Sequence, residues 1–420
     1  MPNILFISTS LKIQHTLGRY FADKRLDANK TFVVVEFFGQ EIPTDLPDNF
    51  LGITDLLNQK ELDNVCERLK SYGPFSSVIS LSELTIYAAA DIRNRLNVDG
   101  PSKCILEKFR DKVVMKKALI DSGIRLPRLY TIENFLKEKI RFPIISKPRA
   151  YAGSMGVSII NSIEELQNLT NKSAEQNDPT YDNQFIELRI NDLQFEEFIH
   201  GDTYHIDGLV RNGKIIFSKT FKHINSCLDF INGVPLGNIS VNDDHANDEW
   251  FSFAEKIIKT MDVPDGSFHL EAFLTPEGER VFLEIAARPP GGMISNTLDL
   301  VYGVDLRWEH IAAQLKIPIN HSFFDQLDTK SVQSGDLIFP MNYIPEGQRP
   351  NQFVQNVNKL SIIEYPTLIQ SNYPLIGSPA ESDFSYENNL GSFIFLNPDV
   401  DLIIKDIERA IRCYTVGIQK

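Results

Sequence analysis

His269-Leu270-Glu271, Phe282-Leu283-Glu284 and the run Ile285-Ala286-Ala287-Arg288-Pro289-Pro290-Gly291-Gly292 decide the reading of this sequence. Ser267 to Leu274 and Arg280 to Ile285 are apolar-rich runs separated by Pro276-Glu277-Gly278, which predicts an antiparallel strand pair. The two glutamates lie 13 positions apart, a separation that fits a hairpin. Alternate strand residues share a face, so both carboxylates can point at one spot. Close carboxylates repel unless a cation lies between them, and Mg²⁺ is the economical cation. Two exposed strand carboxylates are the plain alternative. Arg288 and the glycines beyond it weigh against that alternative: arginine binds phosphate or carboxylate in a bidentate manner, and glycines let backbone amides approach an anion. A metal beside an anion clamp points to phosphoryl or acyl-phosphate chemistry.

Working outward, Lys147 ends the apolar run Phe142-Pro143-Ile144-Ile145-Ser146 and precedes Tyr151-Ala152-Gly153-Ser154-Met155-Gly156-Val157. A strand-held lysine beneath a small-residue loop can cradle phosphate. No Gly-x-x-x-x-Gly-Lys-Ser/Thr loop occurs in the chain. Upstream stands Asp111-Lys112; downstream, Glu196-Glu197-Phe198-Ile199 precedes Gly201-Asp202-Thr203. Backbone groups at Glu197 and Ile199 can offer a donor and an acceptor to a purine edge. Each segment alone reads equally well as an amphipathic helix, an ordinary turn or a plain edge strand. Their order along the chain gives them weight.

The 420 residues, 42% hydrophobic and 23% charged, describe a globular chain of about three lobes, not a disordered one. A net charge of −14 argues against a nucleic-acid or anionic-membrane binder. Cys66, Cys104, Cys227 and Cys413 form no Cys-x-x-Cys pair, consistent with a reducing compartment. The first residues carry no basic leader, and no apolar run approaches a membrane span, so a cytoplasmic location is expected.

Strands at Ile4 to Ile7, Thr31 to Phe38 and Ser77 to Ser80, alternating with helices His15 to Ala22 and Ala88 to Leu96, predict a parallel, doubly wound sheet. A helix is expected from about Glu107 to Ser122, ended by Gly123. Asn171 to Gln184 and Asn242 to Asp248 read as polar loops, Tyr204 to Val210 and Lys214 to Ser218 as a hairpin, Glu249 to Met261 as a helix, and Val400 to Cys413 as the final helix.

Taken in order, Asp111-Lys112, Ser146-Lys147-Pro148, the Gly153 to Val157 loop, Glu196 to Gly201, His269-Leu270-Glu271 and Leu283 to Arg288 resemble the ATP-grasp ligases of the carboxylate-amine, L-amino-acid ligase type. The likeness extends back through Ser82-Glu83-Leu84 and forward into the tail, covering nearly the whole chain. It implies an α/β and α+β architecture: an N-terminal Rossmann-like pre-ATP-grasp domain (1–104), an ATP-grasp domain (105–330, with a small lobe about 113–200 and a large lobe about 201–330) and a C-terminal mixed α+β subdomain (331–420).

The resemblance also assigns roles. Lys112 and Lys147 would hold ATP phosphates beneath a loop containing Gly153, Ser154, Met155, Gly156 and Val157. Glu196, with the Glu197 and Ile199 backbones, would hold adenine. Glu271 and Glu284 would bind Mg²⁺, with Mn²⁺ as the substitute ion, and Arg288 would stabilise an acyl phosphate and the tetrahedral intermediate. His269, Gly291 and Gly292 fall on the substrate side, while His205 and His223 are unassigned. Two positions depart from the pattern. Ala286 stands where many members carry a metal-binding Asn, implying fewer protein ligands. Thr203 replaces a common acidic ribose ligand, leaving Asp202 or Thr203 as candidates. The implied reaction joins a small-molecule carboxylate to an amine with release of ADP and phosphate, without nucleic acid or membrane; a homodimer is the assembly entertained. A biotin-carboxylase-like subunit and a non-catalytic nucleotide-binding regulator are the alternatives.

Overall fold

The computed structural model describes residues 2–131, 140–176, 181–183, 186–188, 192–341, 353–380 and 389–419. Its first layer is built from β1 (Asn3–Ser8), α1 (Ile13–Ala22), β2 (Thr31–Glu36), β3 (Phe50–Ile53), α2 (Gln59–Lys70), β4 (Phe75–Ser80) and α3 (Ile86–Leu96). The strands pair in parallel in the order β3-β2-β1-β4. Both faces of this sheet are covered, which is why β1 and β2 read as unbroken apolar runs instead of alternating ones.

The predicted helix from Glu107 to Ser122 is three pieces: α4 (Lys103–Glu107), α5 (Lys112–Lys117) and a 3₁₀ turn, Ile120–Ser122. Asp111 causes the break. Its carboxylate caps a new helix by accepting from Val113 N (2.9 Å) and Val114 N (3.1 Å), and it also holds Arg149 at 2.7 Å. Gly123 does take the expected left-handed position, with φ +69°.

There follow β5 (Leu129–Tyr130), β6 (Ile144–Pro148), β7 (Ser158–Ile160), α6 (Ile163–Gln176), β8 (Tyr181–Asn183), β9 (Ile186–Leu188) and β10 (Leu193–Glu197). A four-stranded sheet has the order β5-β10-β6-β7 and carries Lys147 and Glu196 on neighbouring strands. Helix α6 replaces the expected loop as far as Gln176; residues 177–180 and 184 of that prediction lie outside the described residues.

The large sheet begins with β11 (Asp202–Arg211) and β12 (Lys214–Ile224), a hairpin closed by Asn212 and Gly213, both at positive φ (52° and 70°). It continues through α7 (Cys227–Ile231), β13 (Leu236–Ser240), α8 (Asp244–Met261), β14 (Gly266–Leu274) and β15 (Arg280–Ala286). Helix α8 starts five residues before the predicted Glu249, because Asp243 accepts from Ala246 N at 2.6 Å and turns a polar run into a capped first turn. Then come α9 (Ile294–Tyr302), α10 (Leu306–Gln314), α11 (His321–Asp325), β16 (Gln333–Pro340), β17 (Phe353–Val357), β18 (Leu368–Asn372), β19 (Asn389–Asn397), α12 (Val400–Cys413) and β20 (Val416–Gln419). The sheet has eight strands in the order β15-β14-β11-β12-β13-β16-β19-β18, so strands from the tail extend the sheet that bears the paired glutamates. One core packs α8 against β11, β14 and β15; a second packs α12 against β16 and β19. Among the described residues no helix is long and apolar enough to cross a membrane.

Candidate active site

Strands β14 and β15 pair with Glu271 directly opposite Glu284. Both line a cleft of about 380 Å³ between the small four-stranded sheet and the large sheet. Of the residues singled out from sequence, Lys112, Lys147, Gly153, Ser154, Met155, Val157, Glu196, Glu197, Ile199, Thr203, Glu271 and Glu284 line it together. Gly156, His269, Arg288, Gly291 and Gly292 are not among the lining residues. Ile145, Ile159, Phe273 and Leu283 supply apolar wall, as a planar base requires.

Lys112, at the first turn of α5, is buried and reaches Glu284 Oε2 at 3.2 Å while donating to the Tyr151 carbonyl at 2.6 Å. Burial alone would lower its pKa, but Glu284 and Glu83 outweigh that and hold it above the ordinary lysine value. The lysine thus ties the second carboxylate to the root of the glycine loop. Within that loop Gly153, Ser154 and Gly156 all sit at positive φ (65°, 58° and 71°), which explains its small residues.

Glu196 does not face the cleft as a lone carboxylate. It is buried between two ammonium groups, Lys147 at 3.0 Å and Lys116 in a very short contact. Burial would raise its pKa; the two lysines reverse this and leave it low. Lys116, only 1% exposed, is lowered to about 8 by burial, with Glu196 opposing. Sequence reasoning passed over Lys116, although it stands one helical turn after Lys112 and that spacing places it on the same face. Glu197 is held at the interlobe edge by both Arg125 contacts (2.8 Å each), and its N–H donates to the Arg128 carbonyl at 2.9 Å.

Arg288 is fixed from the first layer: Glu83 Oε2 accepts from its Nη2 at 3.0 Å, while Glu83 Oε1 takes Arg110 at 3.2 Å. Burial would raise the Glu83 pKa, but Arg288, Arg110 and Lys112 bring it below the usual value.

Beneath Glu271 lies a polar ladder. The β11–β14 register sets His205 opposite Glu271 and Asp207 opposite His269. His269 bridges Asp207 Oδ1 (2.7 Å) and Glu271 Oε1 (3.1 Å), and His205 bridges Asp207 Oδ2 (2.5 Å) and Asn238 Oδ1 (3.0 Å). Asn238 continues to Asp336 at 2.7 Å. Burial opposes charge on His269, yet Asp207 and Glu271 lift its pKa to about 10; Glu271, pushed up by burial, is drawn down to about 2 by His269 with help from His223 and His205. The charges of Glu271 and Glu284 are therefore each met by a protein cation, His269 and Lys112 respectively. Their facing oxygens and hard-donor chemistry still fit a divalent cation on the cleft side. Ala286 is nearly buried and brings no donor. His205 and His223 escaped assignment because the i, i+2 pairs His205/Asp207 and His269/Glu271 only meet once the strand register is known.

Residues 140–297 match the ATP-grasp domain family. The L-arginine-specific L-amino acid ligase of Bacillus subtilis is 26% identical over 262 residues, 61% of this chain and 61% of that protein. The chain thus spans less than two thirds of that relative's length. The fold is similar to the crystal structure of an L-amino acid ligase from Bacillus licheniformis, with a TM-score of 0.75 at 16% identity over 100% of this chain and 99% of that one. It is also similar to the biotin carboxylase domain of Hydrogenobacter thermophilus 2-oxoglutarate carboxylase, in complex with MgADP, ADP and bicarbonate (TM-score 0.67, 14% identity, 99% of this chain and 91% of that one).

Proposed function

The chain carries an ATP-grasp domain on the ATP-grasp fold, and from that premise we propose that it is an ADP-forming carboxylate-amine ligase acting on amino acids or similar small metabolites. The observation that carries this reading is the Glu271–Glu284 pair in one cleft with Lys112 and Lys147. The proposed division is a pre-ATP-grasp region, 1–104, an ATP-grasp region, 105–330, and a C-terminal subdomain, 331–420.

Lys112 and Lys147 hold the phosphates, and the loop from Gly153 to Val157, including Ser154, Met155 and Gly156, covers them. Glu196 fixes Lys147 and Lys116 in place. Because the Glu197 N–H is engaged by Arg128, the purine edge is met by the Glu197 carbonyl and the Ile199 amide. Thr203, which lines the cleft, is the ribose candidate; Asp202, the alternative, is not among the lining residues and pairs with Lys222 at 2.6 Å. Glu271 and Glu284 would hold Mg²⁺, which supplies charge neutralisation of the polyphosphate when bound. A substrate carboxylate oxygen attacks the γ-phosphorus and ADP departs, leaving an acyl phosphate. An amine then attacks the acyl carbon, phosphate leaves, and an amide and one proton result. Arg288, braced by Glu83, stabilises the oxyanion. Gly291, Gly292 and His269 border the substrate side.

Phosphate release from ATP, measured across amino acids and small carboxylates singly and in pairs, tests this. At least one pair is expected to stimulate release, and Glu284→Ala to abolish the stimulated rate. Stimulation by bicarbonate alone would support the carboxylase, and ATP binding without turnover on any pair would support a regulator; either overturns the proposal.

A further inference from the structure

One donor set beside the cleft is unlike a magnesium site. His223 leaves the end of β12, Asn225 turns the chain at φ +64°, and Cys227 opens α7. This brings the Cys227 sulfur to 3.9 Å from His223 Nε2. Glu271 offers a carboxylate oxygen to the same spot, and the three donor atoms all lie within 4.8 Å of one another. The turn is held independently of any ligand: Ser226 and Asp229 form a reciprocal cap (3.0 Å each way), and Asn225 donates to the Pro235 carbonyl at 2.8 Å. Cys227 is in no disulfide and lines the cleft, so the spot is open to solutes on one side.

Sulfur, imidazole nitrogen and one carboxylate oxygen are the donors a thiophilic divalent cation selects, whereas Mg²⁺ avoids thiolates. Zinc bonds of the usual length at a tetrahedral angle set sulfur and nitrogen on the order of 3.5 Å apart, a few tenths of an ångström under the distance found. Two of the three donor residues, Cys227 and Glu271, line the cleft, so a further ligand can reach the spot from that side, as in an open zinc site. The neighbouring His205-Asp207-His269 cluster is a poorer candidate: both Asp207 oxygens are already engaged by the two imidazoles, and His205 and Asp207 are fully enclosed.

We propose that His223, Cys227 and Glu271 form a binding site for a thiophilic divalent cation of the Zn²⁺ class. Glu271 is one of the two carboxylates assigned to Mg²⁺, so the ion takes a ligand from the ATP site and acts as a brake on it. The binding claim stands apart from ligation: it concerns donors, and its first test involves no substrate.

The full chain, stripped with a chelator, is titrated with Co²⁺ alone and then with Zn²⁺. One equivalent of Co²⁺ is expected, with a thiolate-to-cobalt charge-transfer band in the near ultraviolet that Zn²⁺ displaces. Cys227→Ser, at a partly exposed position, is expected to remove the band and weaken Zn²⁺ binding at least tenfold; Cys104→Ser and Cys413→Ser keep both. His223→Gln is expected to weaken binding similarly, with circular dichroism verifying its fold. Absence of the band, or unchanged Zn²⁺ affinity in Cys227→Ser, overturns the site. For the brake, the Mg²⁺ concentration giving half-maximal binding of a fluorescent ATP analogue is expected to rise severalfold with one equivalent of Zn²⁺ in the unmodified chain and to stay constant in Cys227→Ser. An equal rise in both overturns the shared-ligand role of Glu271.

Discussion

Glu196 illustrates how a single buried side chain can order a site through its charged partners. Lys116 and Lys147 both depend on it for compensation, and none of the three is more than 5% exposed. Removing the acid leaves two buried ammonium groups uncompensated, whereas removing Lys116 leaves Glu196 still paired with Lys147. Glu196→Gln is accordingly expected to lower stability by about 3–5 kcal/mol, and Lys116→Met by clearly less, in urea unfolding followed by fluorescence. Equal losses would mean that the three charges do not act as a unit. Spacing along the chain revealed those residues whose partners are close in sequence or set by a hairpin, such as Glu271 and Glu284. The motif position of Glu196 was legible in the sequence, whereas its lysine partners, on α5 and β6, were not. The His223 and Cys227 pairing escaped because a search for Cys-x-x-Cys does not detect a mixed donor set that needs a third residue two strands away.

At the scale of elements, alternation and turn chemistry were good guides: the β14–β15 and β11–β12 hairpins and α12 fall where apolar patterning and Pro-Glu-Gly or Asn-Gly turns put them. Helix starts were less legible, since Asp111 and Asp243 both look like loop residues until their carboxylates are seen capping free amides. Helix α10 supplies a testable consequence. Its His310 is buried, and Nδ1 accepts from Ser267 N at 3.1 Å, which requires a neutral ring. Burial, reinforced by Arg93, depresses its pKa from 6.5 to about 4. A depressed histidine contributes stability that is present above its unfolded value and lost as pH falls toward the folded one. Between pH 7 and pH 5 this one group costs about 2 kcal/mol. His310→Asn keeps an acceptor but cannot titrate, so the difference in unfolding free energy between those two pH values is expected to shrink by about that amount. An unchanged difference would show that the ring does not control this acid response.

On the scale of the whole molecule, α10 is the element that joins the first layer to the large sheet. It packs on β14 and β11 on one side and on β4 on the other. Ile311 shares a core with Ile4, Phe6, Val33, Val35 and Ile79 of the parallel sheet. Trp308 meets Tyr20 at 5.3 Å between ring centroids, and the Tyr20 hydroxyl donates to Asp305 at 3.0 Å. Near the cleft, Glu83 joins Arg288 and Arg110 across the same boundary. The position of the proposed oxyanion-stabilising arginine therefore depends on how the first layer is seated. Ile311→Ala removes a fully buried side chain from this seam and is expected to lower stability by about 2–5 kcal/mol. The loss should not be uniform. Amides of β1, β2 and β4 are expected to lose hydrogen-exchange protection before those of β11 and β14, because the large sheet retains its α8 core while the parallel sheet loses its anchor. Phosphate release by the same variant is expected to fall more than its affinity for a fluorescent ATP analogue, since Glu83 moves with the first layer and Lys147 does not. Uniform loss of protection, or equal loss of ATP binding and turnover, would show that the seam supports the fold without setting Arg288.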